Sequence, residues 1–195
     1  MAVPLRRSSP QRIADGDTFA AHELTTIRGD TVRIPDPDHL VHLQFRRFAG
    51  CPICNLHLRS MVTRNDEIVD AGIHEVVVFH SSADDLRRYA GDLPFAVVGD
   101  PERELYREFG VETAARSLLH PAAWGPELRA LGKAVAGIAR RRQPAPPLVP
   151  HGGPLGLPAD VLVAGDGRVL ASKYGVHAYD QWSVDELLEL ARRST

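Results

Sequence analysis

The chain has 195 residues, 44% of them hydrophobic, with 23 Lys and Arg against 25 Asp and Glu and a formal net charge of −2. That length suits one domain with a sizeable core, and the near balance of charge removes the electrostatic basis for nucleic acid or an anionic membrane as main partner. No stretch approaches the roughly 18 apolar residues of a membrane span, and MAVPLRRSSP has no apolar run after its arginines, so the expected setting is the reducing cytoplasm.

Residues 1–16 are polar and read as an arm, leaving 17–195 as a single domain. AHELTTIRGDTVRI, 21–34, shows two short alternating runs about Gly29-Asp30, a β-hairpin pattern. The Arg28-Gly29-Asp30 triplet is explained by turn chemistry before adhesion. LVHLQFRRF, 40–48, is a strand, and the following stretch places Leu56, Met61, Ile68 and Val69 on one face of a helix ending near Gly72. HEVVVFH, 74–80, is a continuous apolar run, as in a parallel strand buried on both faces.

Ser82 with Asp85 opens a short helix to Tyr89. PFAVVGD is a third strand, and Asp100-Pro101 caps a helix ending at Phe109-Gly110. This β-α-β-α-β-α succession predicts an α/β fold with a parallel sheet flanked by helices. Residues 114–158 interrupt it with an amphipathic helix and a Pro/Gly-rich loop. The Arg140–Arg142 run there fits a helix C-terminus, which favours basic residues. Gly152, Gly153 and Gly156 form no dinucleotide fingerprint, because no strand precedes them as required. DVLVAGDGRVLASKYG is a hairpin about Gly165-Asp166-Gly167, and SVDELLELARR is a last helix with Ser183 and Glu186 as a capping box.

Both cysteines fall in one short motif, GCPICN, where the strand ending near Phe48 hands over to a helix. With Cys51 as N-cap, Pro52 takes the first helical position, where its missing N–H costs nothing. Cys54 lies one turn on along the same face. The free N–H groups and positive end of the helix dipole favour a thiolate at Cys51. Cys51 is thus the expected attacking thiolate and Cys54 its resolving partner, with Arg46 and Arg47 adding positive potential. Two other readings stay open: a pair of adjacent core thiols, and a zinc site drawing on His57, His80, His120 or His151, for which no second paired motif is visible. His177, Asp180 and Trp182 in GVHAYDQW border the site, or Trp182 is the staple residue before the Ser183 cap, the simpler of the two.

FRRFAGCPIC, GDPERELYREFGV, LPADVLVAGDGRVL and YGVHAYDQWSVDELL, with the N-terminal hairpin, resemble the peroxiredoxin-like AhpC/TSA branch of the thioredoxin superfamily, over about residues 15–193. The resemblance implies a thioredoxin-like fold: a central mixed sheet flanked by helices, an N-terminal β-hairpin, and an insertion at 114–158 before the penultimate hairpin. It implies thiol redox activity with Cys51 as nucleophile and Cys54 as partner, and a cis-proline at Pro158 packed beside Cys51. The substrates implied are a protein or small-molecule disulfide, or a hydroperoxide. The electron donor implied is a thioredoxin- or glutathione-type reductant, with no bound cofactor and no metal, and a homodimer is left open.

The sequence departs from the peroxiredoxin pattern Pro-x-x-x-Thr/Ser-x-x-Cys. Phe48 stands at the hydroxyl position and Gln44 at the proline position, and no arginine is a clear match for the peroxide-polarising one. A disulfide exchanger therefore fits better than a peroxidase proper. A binding module whose thiols are idle or hold metal is the reading from another class.

Overall fold

A computed structural model describes residues 12–18, 20–111 and 156–194. Strands β1 (His22–Thr25) and β2 (Thr31–Ile34) form the expected hairpin, a separate two-stranded sheet. Gly29 turns it at φ 93°, and the Ile27 N–H donates to the Val97 carbonyl, anchoring the turn on the main sheet. The Arg28 guanidinium donates to the Gly91 and Leu93 carbonyls, so the arginine of the Arg-Gly-Asp triplet is tied down locally.

The main sheet runs β5-β4-β3-β6-β7, with β3 (Leu40–Arg46) at its centre. β3, β4 (Ile73–Phe79) and β5 (Ala96–Gly99) are parallel, while β6 (Ala159–Val163) and β7 (Val169–Tyr174) run antiparallel as a hairpin. Helices α1 (Pro52–Thr63) and α2 (Asn65–Asp70) join β3 to β4, α3 (Ala83–Ala90) joins β4 to β5, and α4 (Glu104–Glu108) and α5 (Val184–Ser194) follow β5 and β7. The sheet therefore has a core on each face. One holds Leu58, Met61, Ile68, Val77, Phe79, Leu86 and Leu187, and the other holds Val41, Leu43, Phe45, Val78, Tyr106 and Phe109.

Several details differ from the sequence expectations. The single helix expected up to Gly72 is two, broken at Arg64 (φ −115°, ψ 24°), and the break rotates Val69 out of the core to 56% exposure. The N-cap of α4 is Arg103, in the left-handed region at φ 57°. Asp100 still caps from a distance, its carboxylate accepting from the Glu104 and Tyr106 N–H groups. Ser82 caps α3 as expected, accepting from the Asp85 N–H.

Pro158 is a correction. The cis peptide among the described residues is Ile34–Pro35, and the Leu157–Pro158 bond is trans. The bond keeps the trans form that X–Pro bonds favour by about 0.5–1 kcal/mol, and the Pro158 carbonyl accepts from the Gly175 N–H as the chain enters β6. Residues 13–16 of the stretch read as an arm lie along β7, with the Gly16 N–H donating to the Val169 carbonyl and the Ile13 N–H to Tyr174 Oη. The 114–158 insertion, with His120, the Arg140–Arg142 run and His151, lies outside the described residues except for its end at 156–158.

A dithiol over a buried charge network

Gly50, at φ 79°, lets the chain turn sharply from β3 into α1, and the Cys51 N–H closes that turn on the Phe48 carbonyl at 3.1 Å. Cys51 is the N-cap of α1 and Pro52 occupies the start of the helix. Both cysteines are free and buried, Cys51 at 1% and Cys54 at 2% exposure.

Their environments push them apart. Burial raises the Cys51 thiol, but a hydrogen bond from Cys54, the Arg47 charge and the N–H groups of Cys54 and Ile53 outweigh it and bring Cys51 down to about 6. Burial also raises Cys54, and there the bond to Cys51 and the Cys51 charge add to it, so Cys54 stays a thiol well above the ordinary range. One sulfur is an acceptor and the other its donor, the electrostatic form of a nucleophile and a reserve thiol.

The two neighbouring arginines have different surroundings. Arg47, just past the strand, is buried, lies over the Phe48 ring at 5.4 Å and supplies positive charge to both sulfurs. Gly156 sits against it, where an added Cβ would lie 3.4 Å from Arg47 Cγ and 3.4 Å from His80 Nε2. The described end of the insertion thus abuts the arginine that polarises the dithiol.

Arg46 is the last residue of β3 and is 0% exposed. Its Nη2 donates to Asp160 Oδ1 at 2.6 Å, to Gln44 Oε1 and to His57 Nε2 at 3.2 Å. His42, two pleats earlier, donates from Nδ1 to Glu75 at 2.9 Å and from Nε2 to Asp160 at 3.2 Å. Gln44 Nε2 donates to the same Glu75 carboxylate. The Trp182 N–H donates to Asp160 Oδ2 at 3.3 Å, and its ring lies 5.6 Å from that of His42. Two cations, Arg46 and His42, therefore face two carboxylates, Asp160 and Glu75, in the dry space between β3 and α1.

That balance sets the titration of its members. Burial lowers His42, but Glu75 and Asp160 overcome it and raise His42 to about 9. Burial raises Asp160, but the Arg46 charge and His42 overcome it and hold the carboxyl far below the usual range. His57 has no such partner: burial and the Arg46 guanidinium lower it to about 3, so it stays neutral and accepts through Nε2. Because His57 is one turn after Cys54 on α1, the Arg46–His57 bond ties the dithiol helix to the central strand.

The network is what sequence reasoning missed. Its signal was present: His42, Gln44 and Arg46 recur at i, i+2, i+4 on a strand central enough to be buried on both faces, where polar side chains need partners. Their partners on β4 and β6 sit opposite in register, His42 with Glu75 and Gln44 with Asp160.

The other candidates divide. Pro52 lies at the helix start and Phe48 is buried beside Arg47. Pro158 packs against Gly175, where an added Cβ would meet its Cγ at 2.8 Å. Trp182 precedes the Ser183 cap, which accepts from the Glu186 N–H at 3.2 Å, and the indole also covers the network, so the staple role is not its whole role. Asp180 accepts from the Val176 N–H at 2.9 Å and pairs with Lys173 at 3.1 Å, and His177 Nδ1 accepts from the Tyr179 N–H, so both brace the turn after β7. Among the described residues the cysteines belong to no cluster of three or more metal-ligating groups, and no helix is long and apolar enough to cross a membrane.

A comparison with curated protein sequences finds no match. Solved structures share the fold. Peroxidoxin BcpB from Mycobacterium tuberculosis superposes with TM-score 0.66 at 17% identity, covering 94% of this chain and 99% of that one. Mycobacterium tuberculosis AhpC gives 0.63 at 16% identity, covering 94% of each. A putative thiol:disulfide interchange protein DsbE from Chlorobium tepidum gives 0.57 at 18% identity, covering 94% and 98%. The likeness to both kinds of protein establishes the thioredoxin-like architecture, a mixed sheet flanked by helices. The family model for AhpC/TSA antioxidant enzymes matches residues 58–177, more than half of the chain, beginning just downstream of Cys54. The chain belongs to the AhpC/TSA antioxidant enzyme family.

Proposed function

We propose that the protein is a thiol–disulfide oxidoreductase working in the cytoplasm, with Cys51 as attacking thiolate and Cys54 as resolving thiol. The observation that carries this is the opposite displacement of the two thiols, Cys51 down to about 6 and Cys54 well up, at a helix start beside Arg47. The Cys51 thiolate attacks one sulfur of a substrate disulfide, forming a mixed disulfide and releasing the first substrate thiolate. Cys54 then gives up its proton and attacks the Cys51 sulfur, forming the Cys51–Cys54 disulfide and releasing the second. The substrate has gained two electrons and the protein has lost two. A dithiol or glutathione-type reductant returns them, with the one proton that Cys54 gave up, and restores the Cys51 thiolate and the Cys54 thiol.

Family membership supports a second reading, hydroperoxide reduction. Cys51 would attack the peroxide oxygen, the alcohol or water would leave, and the Cys51 sulfenic acid would condense with Cys54, releasing water. Phe48 supplies no hydroxyl to orient the peroxide, so this reaction is the slower of the two. Steady-state assays of the reduced protein with a disulfide and with a hydroperoxide, recycled by the same thioredoxin system, decide between them. Faster disulfide turnover that Cys51→Ser abolishes is expected. Rapid peroxide turnover with little disulfide exchange would reverse the order, and activity surviving in Cys51→Ser would remove the assignment altogether.

A further inference from the structure

The end of the sheet farthest from the cysteines holds a second group of chemically able side chains. Asp36 and His39 face each other across an isolated bridge just before β3, and His74 is the second residue of β4. β3 starts at Leu40 and ends at Arg46, so this group lies roughly 23 Å from the dithiol end at about 3.3 Å per residue. Two imidazoles converge on one carboxylate oxygen: His74 Nδ1 lies 2.7 Å and His39 Nδ1 3.3 Å from Asp36 Oδ2. The rings are stacked, centroids 3.7 Å apart and 19° from parallel, which turns both toward the same point. One donor atom from each of the three residues lies within 4.8 Å of the others.

We propose that Asp36, His39 and His74 bind a divalent transition-metal ion, Zn²⁺ foremost, with water at the fourth position. Zinc bonds of 2.0–2.1 Å at tetrahedral angles place ligand atoms about 3.3 Å apart, and the two imidazole nitrogens already lie 2.7 and 3.3 Å from Asp36 Oδ2, with all three residues' donor atoms within 4.8 Å of one another. Two imidazoles and one carboxylate suit zinc and its neighbours, whereas calcium and magnesium take oxygen.

The backbone carrying the ligands is held. The Asp38 N–H donates to Asp36 Oδ1 at 2.9 Å, which leaves Oδ2 for the metal. The Leu40 N–H donates to the Gly72 carbonyl at 2.9 Å, fixing His39 beside His74. Gly165 packs so closely on this turn that an added Cβ would lie 3.0 Å from the Asp36 and Pro37 carbonyls. His39 and His74 are 40% and 45% exposed and Asp36 is 19%, so an ion can enter from solvent. On binding, each neutral imidazole presents its Nδ1 lone pair and carries its proton on Nε2. The hydrogen bonds to Asp36 give way to metal bonds.

The test is titration of the full-length protein carrying Cys51→Ser and Cys54→Ser, so that no thiol can ligate, with Co²⁺ as spectroscopic probe and Zn²⁺ as competitor. The expected result is one ion per chain, with d–d bands of low coordination number and no thiolate charge-transfer band, displaced by Zn²⁺ but not by Mg²⁺. His74→Ala, at an exposed position, should weaken binding by about ten-fold or more, as loss of one of three protein ligands. Asp36→Asn should do the same, with helix and strand content of each variant checked by circular dichroism. At the same concentration Zn²⁺ should raise the melting temperature of the parent by more than that of His74→Ala. Absence of binding to the parent, or binding that His74→Ala and Asp36→Asn leave intact, would show that the three residues form only a hydrogen-bonded pair of histidines on an aspartate.

Discussion

The two faces of β3 are built from alternate residues of one seven-residue strand, yet they are different materials. Val41, Leu43 and Phe45 enter an ordinary apolar core with Tyr106 and Phe109. His42, Gln44 and Arg46 face α1 and α5 and are buried just as fully, but among carboxylates. Apolar packing tolerates replacement by anything of similar shape, whereas a balanced charge network fixes each member by its partners. The polar face lies under the helix that carries the dithiol, and the Arg46–His57 bond crosses from one to the other. We read the apolar face as what holds the sheet together and the polar face as what sets the position of α1.

The largest expected effect comes from breaking the polar face on one side only. Asp160→Leu leaves Arg46 and His42 buried without their shared carboxylate and should cost about 3–5 kcal/mol in urea unfolding. Replacing Arg46 as well, in Arg46→Met/Asp160→Leu, should recover a good part of that loss, because the uncompensated guanidinium is gone. If the double variant loses the sum of the two single losses, the network is not acting as a unit.

On the apolar face, Leu43→Ala should cost about 2–5 kcal/mol through lost burial and the cavity left behind. It should leave the pH dependence of Cys51 alkylation where it was. A shift of that profile in Leu43→Ala would mean that the faces are not separate.

The pH dependence of stability gives a finer comparison. His57 is lowered to about 3 from 6.5, so its contribution is present above pH 6.5 and is lost as the pH falls from 6.5 toward 3. His42 is raised to about 9, so its contribution is present below pH 6.5 and is lost as the pH rises through 9. Cys51 is lowered to about 6 from 9.0, so its contribution is complete above pH 9 and is lost as the pH falls to 6. Between pH 6.5 and 9 the His42 and Cys51 effects oppose each other. The parent should therefore show a flat alkaline side and a falling acid side. Cys51→Ser should uncover a decline from pH 6.5 to 9, measured by urea midpoints across that range. An unchanged alkaline side in Cys51→Ser would contradict one of the two assignments.

The smallest expected effect on activity is a change in the ratio of two rates. Phe48→Thr places a hydroxyl at the position the peroxiredoxin pattern uses, and it should raise the hydroperoxide rate relative to the disulfide rate. The lost aromatic should cost about 3 kcal/mol or more. A relative rate that does not move would mean that Phe48 is not what limits peroxide chemistry.

How much of this was legible in the sequence depended on the range of the interactions. The strand–turn–helix around Cys51 was readable because its causes are local: a turn glycine, a proline at the helix start, a thiol one turn on. The hairpins at Gly29 and Gly165–Gly167 and the Ser183–Glu186 cap were readable for the same reason. The break at Arg64 was not, because no proline or glycine marks it; it exposes Val69, which the helical pattern alone placed inward. The network was half legible. Three polar residues on a central strand announce that partners exist, but Glu75 and Asp160 come from strands 33 and 118 residues away from His42, and only the register of the sheet brings them together. The trans bond at Pro158 shows the limit of transferring a feature by topological place, since nothing local in the sequence selects the less favoured cis form.

The central claim is that Cys51 is the thiolate and Cys54 its thiol partner. Its most direct test is pH-dependent alkylation of the reduced protein by a small electrophile in limiting amount, with the label located by mass spectrometry. The account predicts labelling at Cys51, with a midpoint near pH 6 and Cys54 modified only after denaturation. Labelling mainly at Cys54, or at Cys51 with the midpoint of an ordinary thiol, about pH 8.5, would contradict it.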